Sequence, residues 1–289
     1  MDFHIYEVSP RDGLQGMDTI VPTIDKLTLI DLIIEAGINR IEVGSLVHPK
    51  LVPNMADSDV VFARSASKHQ NSELGVLIPN KKGMERAKRI GVRNFNIFMS
   101  PSVGFNKNNH NNTPLNVFRE YFDTLRGVSR ANVRVYLSCA FGCPMDGEIS
   151  EEMLVQSLMW AGTFGKTIVL SDTAGQATGE SIRSVIQTAR DNGITSDMAL
   201  HLHYGANDVS MYEKLDSAYE MGVREFDSCI MGLGGCPFVT GSGGNLSTSE
   251  LVEWSASRLL SCGVDIEDIV EVNRFVKSKF KEQLTVTAF

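Results

Sequence analysis

Long hydrophobic runs are missing from this 289-residue chain. No window approaches the roughly 18 apolar residues of a membrane-spanning helix, which excludes a helical membrane protein. Positive charge is also scarce: 27 Lys and Arg stand against 35 Asp and Glu, a formal net charge of -8 at pH 7. Binding along a nucleic-acid backbone or an anionic membrane needs a basic face, so neither partner is expected. A local cationic pocket for one small anion stays open. Cysteine is sparse as well. The five, at 139, 143, 229, 236 and 262, are odd in number and lack disulfide-framework or zinc-ribbon spacing. That usage fits a reducing cytoplasm. Cys139 and Cys143 form CxxxC, neither a thioredoxin CxxC nor a zinc knuckle. The first residues show no basic region, apolar core or cleavage site of a targeting peptide.

What is present is an ordinary globular composition, 43% hydrophobic and 21% charged, in a chain long enough for one large core. Short runs rich in Val, Ile and Phe alternate with longer segments of helical period. Strands are expected near 3–8, 38–44, 74–78, 93–99, 132–139, 166–171, 198–203 and 224–230. Helices are expected near 22–36, 54–69, 82–90, 114–130, 150–163, 179–192, 208–221 and 248–262. Gly37, Gly91, Gly193, Gly222 and Gly263 each follow a helical stretch, where a terminating glycine is favoured. Eight strand-then-helix units read as a parallel (β/α)8 TIM barrel, with an open doubly wound sheet as the alternative. A single catalytic domain over 1–289 is expected, the barrel covering about 3–263 and an extra C-terminal helix about 265–281. The Asn-rich "NKNNHNN" at 106–112 falls in an expected strand-to-helix loop.

In such a barrel the chemistry sits where strands end, and the polar residues gather there. Strand one ends in "SPRDG", with Arg11 and Asp12; strand two carries Glu42 inside an apolar run; strand six ends in Asp172; strand seven holds His201 and His203. A buried carboxylate such as Glu42 needs a partner, and Arg11 is the obvious one for it and for Asp172. Two histidines at i and i+2 share one strand face, so both imidazoles can meet one cation. The plain alternative is a hydrogen-bonded pair flanking a core leucine. With Asp12 and Asn245 the set becomes two nitrogens and two oxygens, suited to Mg²⁺ or Mn²⁺, with Zn²⁺ and Co²⁺ also admitted. "GLGGCPFVTGSGGN", after strand eight, reads as a flap presenting the Cys236 thiol rather than as a nucleotide fingerprint.

"SPRDGLQ", the HxH of "LHLH", "SDTAG" and "GLGGCPF..G..GN" together resemble the metal-dependent TIM-barrel lyases and synthases that include 3-hydroxy-3-methylglutaryl-CoA lyase (HMG-CoA lyase). The likeness extends to "IEVGSLVHPKLVPNMAD" and "SCAFGCPMDGEIS". It implies that Asp12, His201, His203 and Asn245 bind the cation, that Arg11 faces the developing enolate, and that Cys236 donates a proton. Asp172 and Glu42 match acidic positions of the family's site; Gln15, Lys107 and Ser138 are expected to contact substrate. The implied reaction is retro-Claisen cleavage of an HMG-CoA-like acyl-CoA to acetyl-CoA and a 3-oxo acid, acetoacetate for the parent substrate. Condensation of acetyl-CoA with a 2-oxo acid, or cleavage of a different substrate, are the alternatives. An acyl-CoA or related small anionic substrate is the expected partner, and a homodimer is compatible with it. Four places depart from the family pattern: Gly16-Met17-Asp18, where Asn-Glu-Lys is usual; Tyr204-Gly205 directly after the HxH, without Asp-Thr; "VTGSGGN" in the flap; and Ser249 in place of Glu.

Overall fold

A computed structural model describes residues 1–205, 210–234 and 243–280. Its sheet is a closed barrel of eight parallel strands in sequence order. They are β1 (His4–Glu7), β2 (Arg40–Ser45), β3 (Glu73–Leu77), β4 (Asn94–Met99), β5 (Val133–Leu137), β6 (Thr167–Ser171), β7 (Asp197–His201) and β8 (Glu225–Ser228). Closure is made by β8 against β1, with His4 opposite Glu225 and Glu7 opposite Ser228. The helices are α1 (Thr23–Glu35), α2 (Ser58–Lys68), α3 (Lys81–Ile90), α4 (Val103–His110), α5 (Pro114–Thr124), α6 (Glu151–Phe164), α7 (Gly179–Asp191), α8 (Met211–Glu220), α9 (Thr248–Ser257) and α10 (Ile266–Lys279).

The strands are buried on both faces, which is why they read as nearly continuous apolar runs. Local signals set the helix ends. The Ser150 hydroxyl accepts from Met153 N at the start of α6, and Thr178 and Ser181 form a reciprocal cap on α7. Gly91, at φ 81°, ends α3 in the left-handed region. The expected helix 114–130 stops at Thr124 and the expected 248–262 at Ser257. The Asn-rich segment is not a loop: most of it lies in α4. Ser102 caps Phe105 N, Asn106 Nδ2 donates to the carbonyls of Ser100 and Ser102, and Asn111 closes the helix at φ 51°. Asn106 thereby ties α4 back to the turn at Ser100–Ser102 that leads into it.

The main core lies between sheet and helices. Phe3, Phe226 and Trp254 pack edge to face beneath β1 and β8, and α10 covers α1 and α9. Inside the barrel buried polar side chains such as Glu42, Asn96, Arg134, His201 and Asp227 stand beside a small apolar cluster of Leu77, Tyr136, Val169 and Ala199, and the polar groups decide where the site lies. A register shift in β2 between Glu42 and Gly44 bends that strand. At Gly44, an added Cβ would stand 2.6 Å from the Ser58 hydroxyl at the start of α2. No helix among the described residues is long and apolar enough to cross a membrane.

Candidate metal centre and active site

The site begins where β1 ends. From Ser9 to Gly13 the chain makes one wide helical turn, and the N–H groups of Arg11, Asp12 and Gly13 all donate to Val8 O at 3.1, 2.7 and 3.3 Å. Pro10 fits the first turn because it has no N–H to satisfy. The turn directs Arg11 and Asp12, 7% and 8% exposed, into the mouth of the barrel. Arg11 Nε donates to Glu42 Oε2 and Nη1 to Asp12 Oδ1, and the guanidinium lies 5.6 Å from the Tyr136 ring centroid. Burial opposes its charge, but the two carboxylates outweigh burial and keep Arg11 protonated. Glu42 is fixed in turn: its Oε1 accepts from Asn96 Nδ2 at 2.7 Å, and Asn96 also reaches the Tyr6 hydroxyl at 2.9 Å.

The two histidines meet Asp12 across the barrel. Ligand atoms of Asp12, His201 and His203 all lie within 4.8 Å of one another. His201 Nδ1 is 3.0 Å from Asp227 Oδ2, and His203 Nδ1 is 3.5 Å from Thr173 O. Both partners are acceptors, which assigns the proton of each neutral ring to Nδ1 and leaves a lone pair on Nε2. Those two Nε2 atoms are only 3.2 Å apart. Asn245 adds a third acceptor. Its amide nitrogen donates to Asp12 Oδ2 and Leu233 O at 2.9 and 2.8 Å, so Oδ1 faces His203 Nε2 at 3.0 Å. Three lone pairs, on His201 Nε2, His203 Nε2 and Asn245 Oδ1, thus converge beside the Asp12 carboxylate with no donor between them, which a cation at their centre would resolve. The donor set of two imidazoles, a carboxylate and an amide oxygen fits a hard or borderline divalent ion. Burial pushes His203 down to about 4, so the ring stays neutral and able to ligate at pH 7. Burial alone would raise Asp12, but Arg11 and the two histidines hold it at about 2.

Above this cluster opens a cavity of about 560 Å³. Arg11, Asp12, His201 and His203 form its floor, Gln15, Ser138, Ser171 and Thr173 supply neutral polar groups, and Leu77, Phe98 and Phe105 part of its apolar wall. Of the residues expected from sequence, Arg11, Asp12, Glu42, His201, His203 and Asn245 come together, and Gln15 and Ser138 line the cavity. Gln15 Nε2 also donates to Asp12 Oδ1 at 3.0 Å. Two do not join. Asp172 faces away from the cavity: it accepts from Gln176 N at 2.7 Å and lies 3.5 Å from the buried Lys214 ammonium of α8. Its neighbours Ser171 and Thr173 point inward instead, as strand alternation requires. Arg11, expected as an alternative partner of Asp172, is taken by Glu42 and Asp12. Lys107 is exposed on α4 and bonds Asn111 Oδ1 at 2.8 Å. Cys236 lies outside the described residues.

Sequence reasoning missed Asp227, Asn96 and Tyr136. Asp227 orients His201 with one oxygen and receives Arg134 Nη2 on the other. Each interrupts an apolar strand with a polar side chain, the same signal that singled out Glu42.

The HMGL-like family matches residues 2–276. The mitochondrial HMG-CoA lyase of Macaca fascicularis is 36% identical over 280 residues, covering 94% of this chain and 84% of that protein. The HMG-CoA lyase of Bacillus subtilis superposes with a TM-score of 0.89 at 29% identity, covering 96% of this chain and 94% of its own. An HMG-CoA lyase from Acinetobacter baumannii, solved in complex with coenzyme A and 3-methylmalate, gives 0.87 at 31% identity, covering 96% and 91%. Barrel, strand-end cluster and sequence agree: the chain belongs to the HMGL-like family and is a carbon–carbon lyase.

Proposed function

We propose that this protein cleaves a 3-hydroxyacyl thioester of coenzyme A by a divalent-cation-dependent retro-Claisen reaction. HMG-CoA, named in its relatives, is the parent of this substrate type. The products are acetyl-CoA and the carbonyl fragment, acetoacetate in the parent case. The observation that carries the reading is the convergence of His201 Nε2, His203 Nε2, Asn245 Oδ1 and Asp12 beside a charged, anchored Arg11. Coenzyme A in the Acinetobacter baumannii relative supports the thioester.

Asp12, His201, His203 and Asn245 are assigned as ligands of Mg²⁺ or Mn²⁺. Bound there, the cation supplies Lewis acidity that makes the substrate's 3-hydroxyl easier to deprotonate. The rest of the chemistry belongs to the side chains. Breaking the C2–C3 bond sends its electron pair into the thioester enolate. Arg11, held by Glu42 and Asp12, meets that charge with no reorganisation at the moment of reaction. Cys236 is assigned the proton that quenches the enolate at C2. Gln15 and Ser138 are assigned to hold the substrate, and Lys107, outside the cavity, to the phosphate end of coenzyme A. Asp172 is assigned to holding the turn after β6 through Gln176 N rather than to the reacting atoms. The four described cysteines are free thiols, which supports a reducing, cytoplasmic setting.

The test couples two readouts. Mn²⁺-loaded protein releases acetyl-CoA from 3-hydroxy-3-methyl acyl-CoA thioesters, and Asp12→Ala loses both Mn²⁺ binding and that release. Undiminished acetyl-CoA release by Asp12→Ala would overturn the assignment.

A further inference from the structure

Arg134 of β5 is 6% exposed and lies at the end of the barrel where the strands begin. There it lines a space of about 450 Å³ with His4, Arg40, Glu73 and Glu225. It takes no part in lining the cavity above the cation cluster, so a substrate seated there does not touch it. Burying a guanidinium is costly, and its partners show what it holds. Nη1 donates to Glu225 and Nη2 to Asp227, both across the barrel on β8. Burial opposes its charge, and the two carboxylates outweigh burial. Its guanidinium carbon stands 4.1 Å from the Tyr6 ring centroid and 5.4 Å from that of Tyr136.

Two routes lead from Arg134 to the reacting end of the barrel. The first passes through Asp227, whose Oδ2 is 3.0 Å from His201 Nδ1 while the ring's Nε2 faces the cluster. The Asp227 side chain is wholly buried, so the oxygen that Arg134 holds has no water to turn to instead. The second passes through Tyr6. The Tyr6 hydroxyl accepts from Asn96 Nδ2 at 2.9 Å, the same nitrogen donates to Glu42 Oε1 at 2.7 Å, and Glu42 grips Arg11 Nε. Tyr136 joins the two arginines more directly, its ring centroid 5.4 Å from Arg134 and 5.6 Å from Arg11. From these contacts we infer that Arg134 is a positioning residue for the cleavage reaction, setting His201 and Arg11 together from the far end of the barrel. This assignment rests on the cation-dependent lyase reading above. A lysine cannot replace it: an ammonium is a point charge, without a planar fork for Glu225 and Asp227 at once or a flat face for Tyr6. When Arg134 is changed, Glu225 keeps Arg40 as a partner, so the carboxylate left short is Asp227.

The experiment follows Mn²⁺ binding by the electron spin resonance of the free ion, then kcat and KM for HMG-CoA at saturating Mn²⁺. It compares wild type, Arg134→Lys, Asp227→Asn and the double variant. Arg134→Lys is expected to weaken Mn²⁺ binding about tenfold. In the Asp227→Asn background the same substitution is expected to change it less than about twofold, because the effect travels through Asp227. With the ion saturating, kcat of Arg134→Lys stays about tenfold below wild type while KM holds within a few-fold, as lost orientation of Arg11 requires. Equal losses of Mn²⁺ affinity in both backgrounds would mean general loosening and overturn the inference, as would wild-type affinity or kcat in Arg134→Lys. Should Arg134→Lys not fold, Arg134→Gln combined with Asp227→Asn removes both charges of the pair and is compared with Asp227→Asn alone. Equal Mn²⁺ affinity with lower kcat then supports the assignment, and any other result overturns it. A wild-type protein that binds no Mn²⁺ overturns the cation-dependent reading itself.

Discussion

Asp227 Oδ2 lies 3.0 Å from His201 Nδ1 while its other oxygen receives the Arg134 guanidinium. One buried carboxylate thereby fixes which nitrogen of His201 faces the cation cluster. Such partners of ligating histidines are typically worth about 10–100-fold in metal affinity. Asp227→Asn keeps the shape and removes the charge. Titration with Mn²⁺ is expected to show affinity lower by one to two orders of magnitude, and wild-type affinity would dissociate Asp227 from the centre.

Glu42 is wholly buried and holds Arg11 by its Nε. Glu42→Gln leaves Asn96 a partner but takes a negative charge from the guanidinium. Arg11 then loses its fixed orientation toward the enolate, the kind of change that costs about 10²–10³ in kcat at a comparable electrostatic site. Mn²⁺ affinity should stay within a few-fold. A kcat close to wild type would show that Arg11 needs no anchor.

Cys236→Ser tests the proton donor. Turnover is expected to fall by orders of magnitude while melting temperature and Mn²⁺ content hold, because the assigned role is proton delivery alone. An unchanged kcat removes Cys236 from the mechanism.

Glu7 is buried beneath the site, with Ser9, Ser228, Thr248 and the Ile230 N–H around its carboxylate. Burial raises it from 4.5 to about 7, with those hydrogen bonds opposing the rise. Between these pH values the folded protein keeps a proton that the unfolded chain has released. The stabilisation is therefore complete below 4.5 and lost as pH rises through 7. The loss is on the order of 3 kcal/mol, from 1.36 kcal/mol per pKa unit over the rise. Melting temperature against pH should decline across that window, and Glu7→Gln should flatten it. The same slope in both proteins would mean that Glu7 is charged throughout.

Gly75 in β3 faces the barrel interior, where an added Cβ would collide with the Tyr6 hydroxyl and stand 2.9 Å from Asn96 Nδ2. Gly75→Ala must displace the pair that holds Glu42 in place. A loss of about 1–3 kcal/mol in denaturant unfolding is expected, as for other overpacked cores, together with reduced kcat. Wild-type values for both would show that the interior can shift to fit a methyl group.

The short apolar runs of the strands and the glycines after the helices were enough to place eight strand–helix units, because burial and chain geometry act locally. The histidines at 201 and 203 were legible for the same reason: alternation puts i and i+2 on one face. The same alternation separates Asp172 from Ser171 and Thr173, so its position at a strand tip was a misleading guide to its direction. Helix α4 was illegible because asparagine side chains met backbone carbonyls that no propensity scale counts. Only closure of the barrel decided the rest. Asp12 and Asn245 are 2.9 Å apart because β8 pairs with β1. The neighbouring pairing of β7 with β8 sets Asp227 opposite His201, and the closed barrel brings the ligand atoms to one point, where charge and shape depend on residues from both ends of the chain.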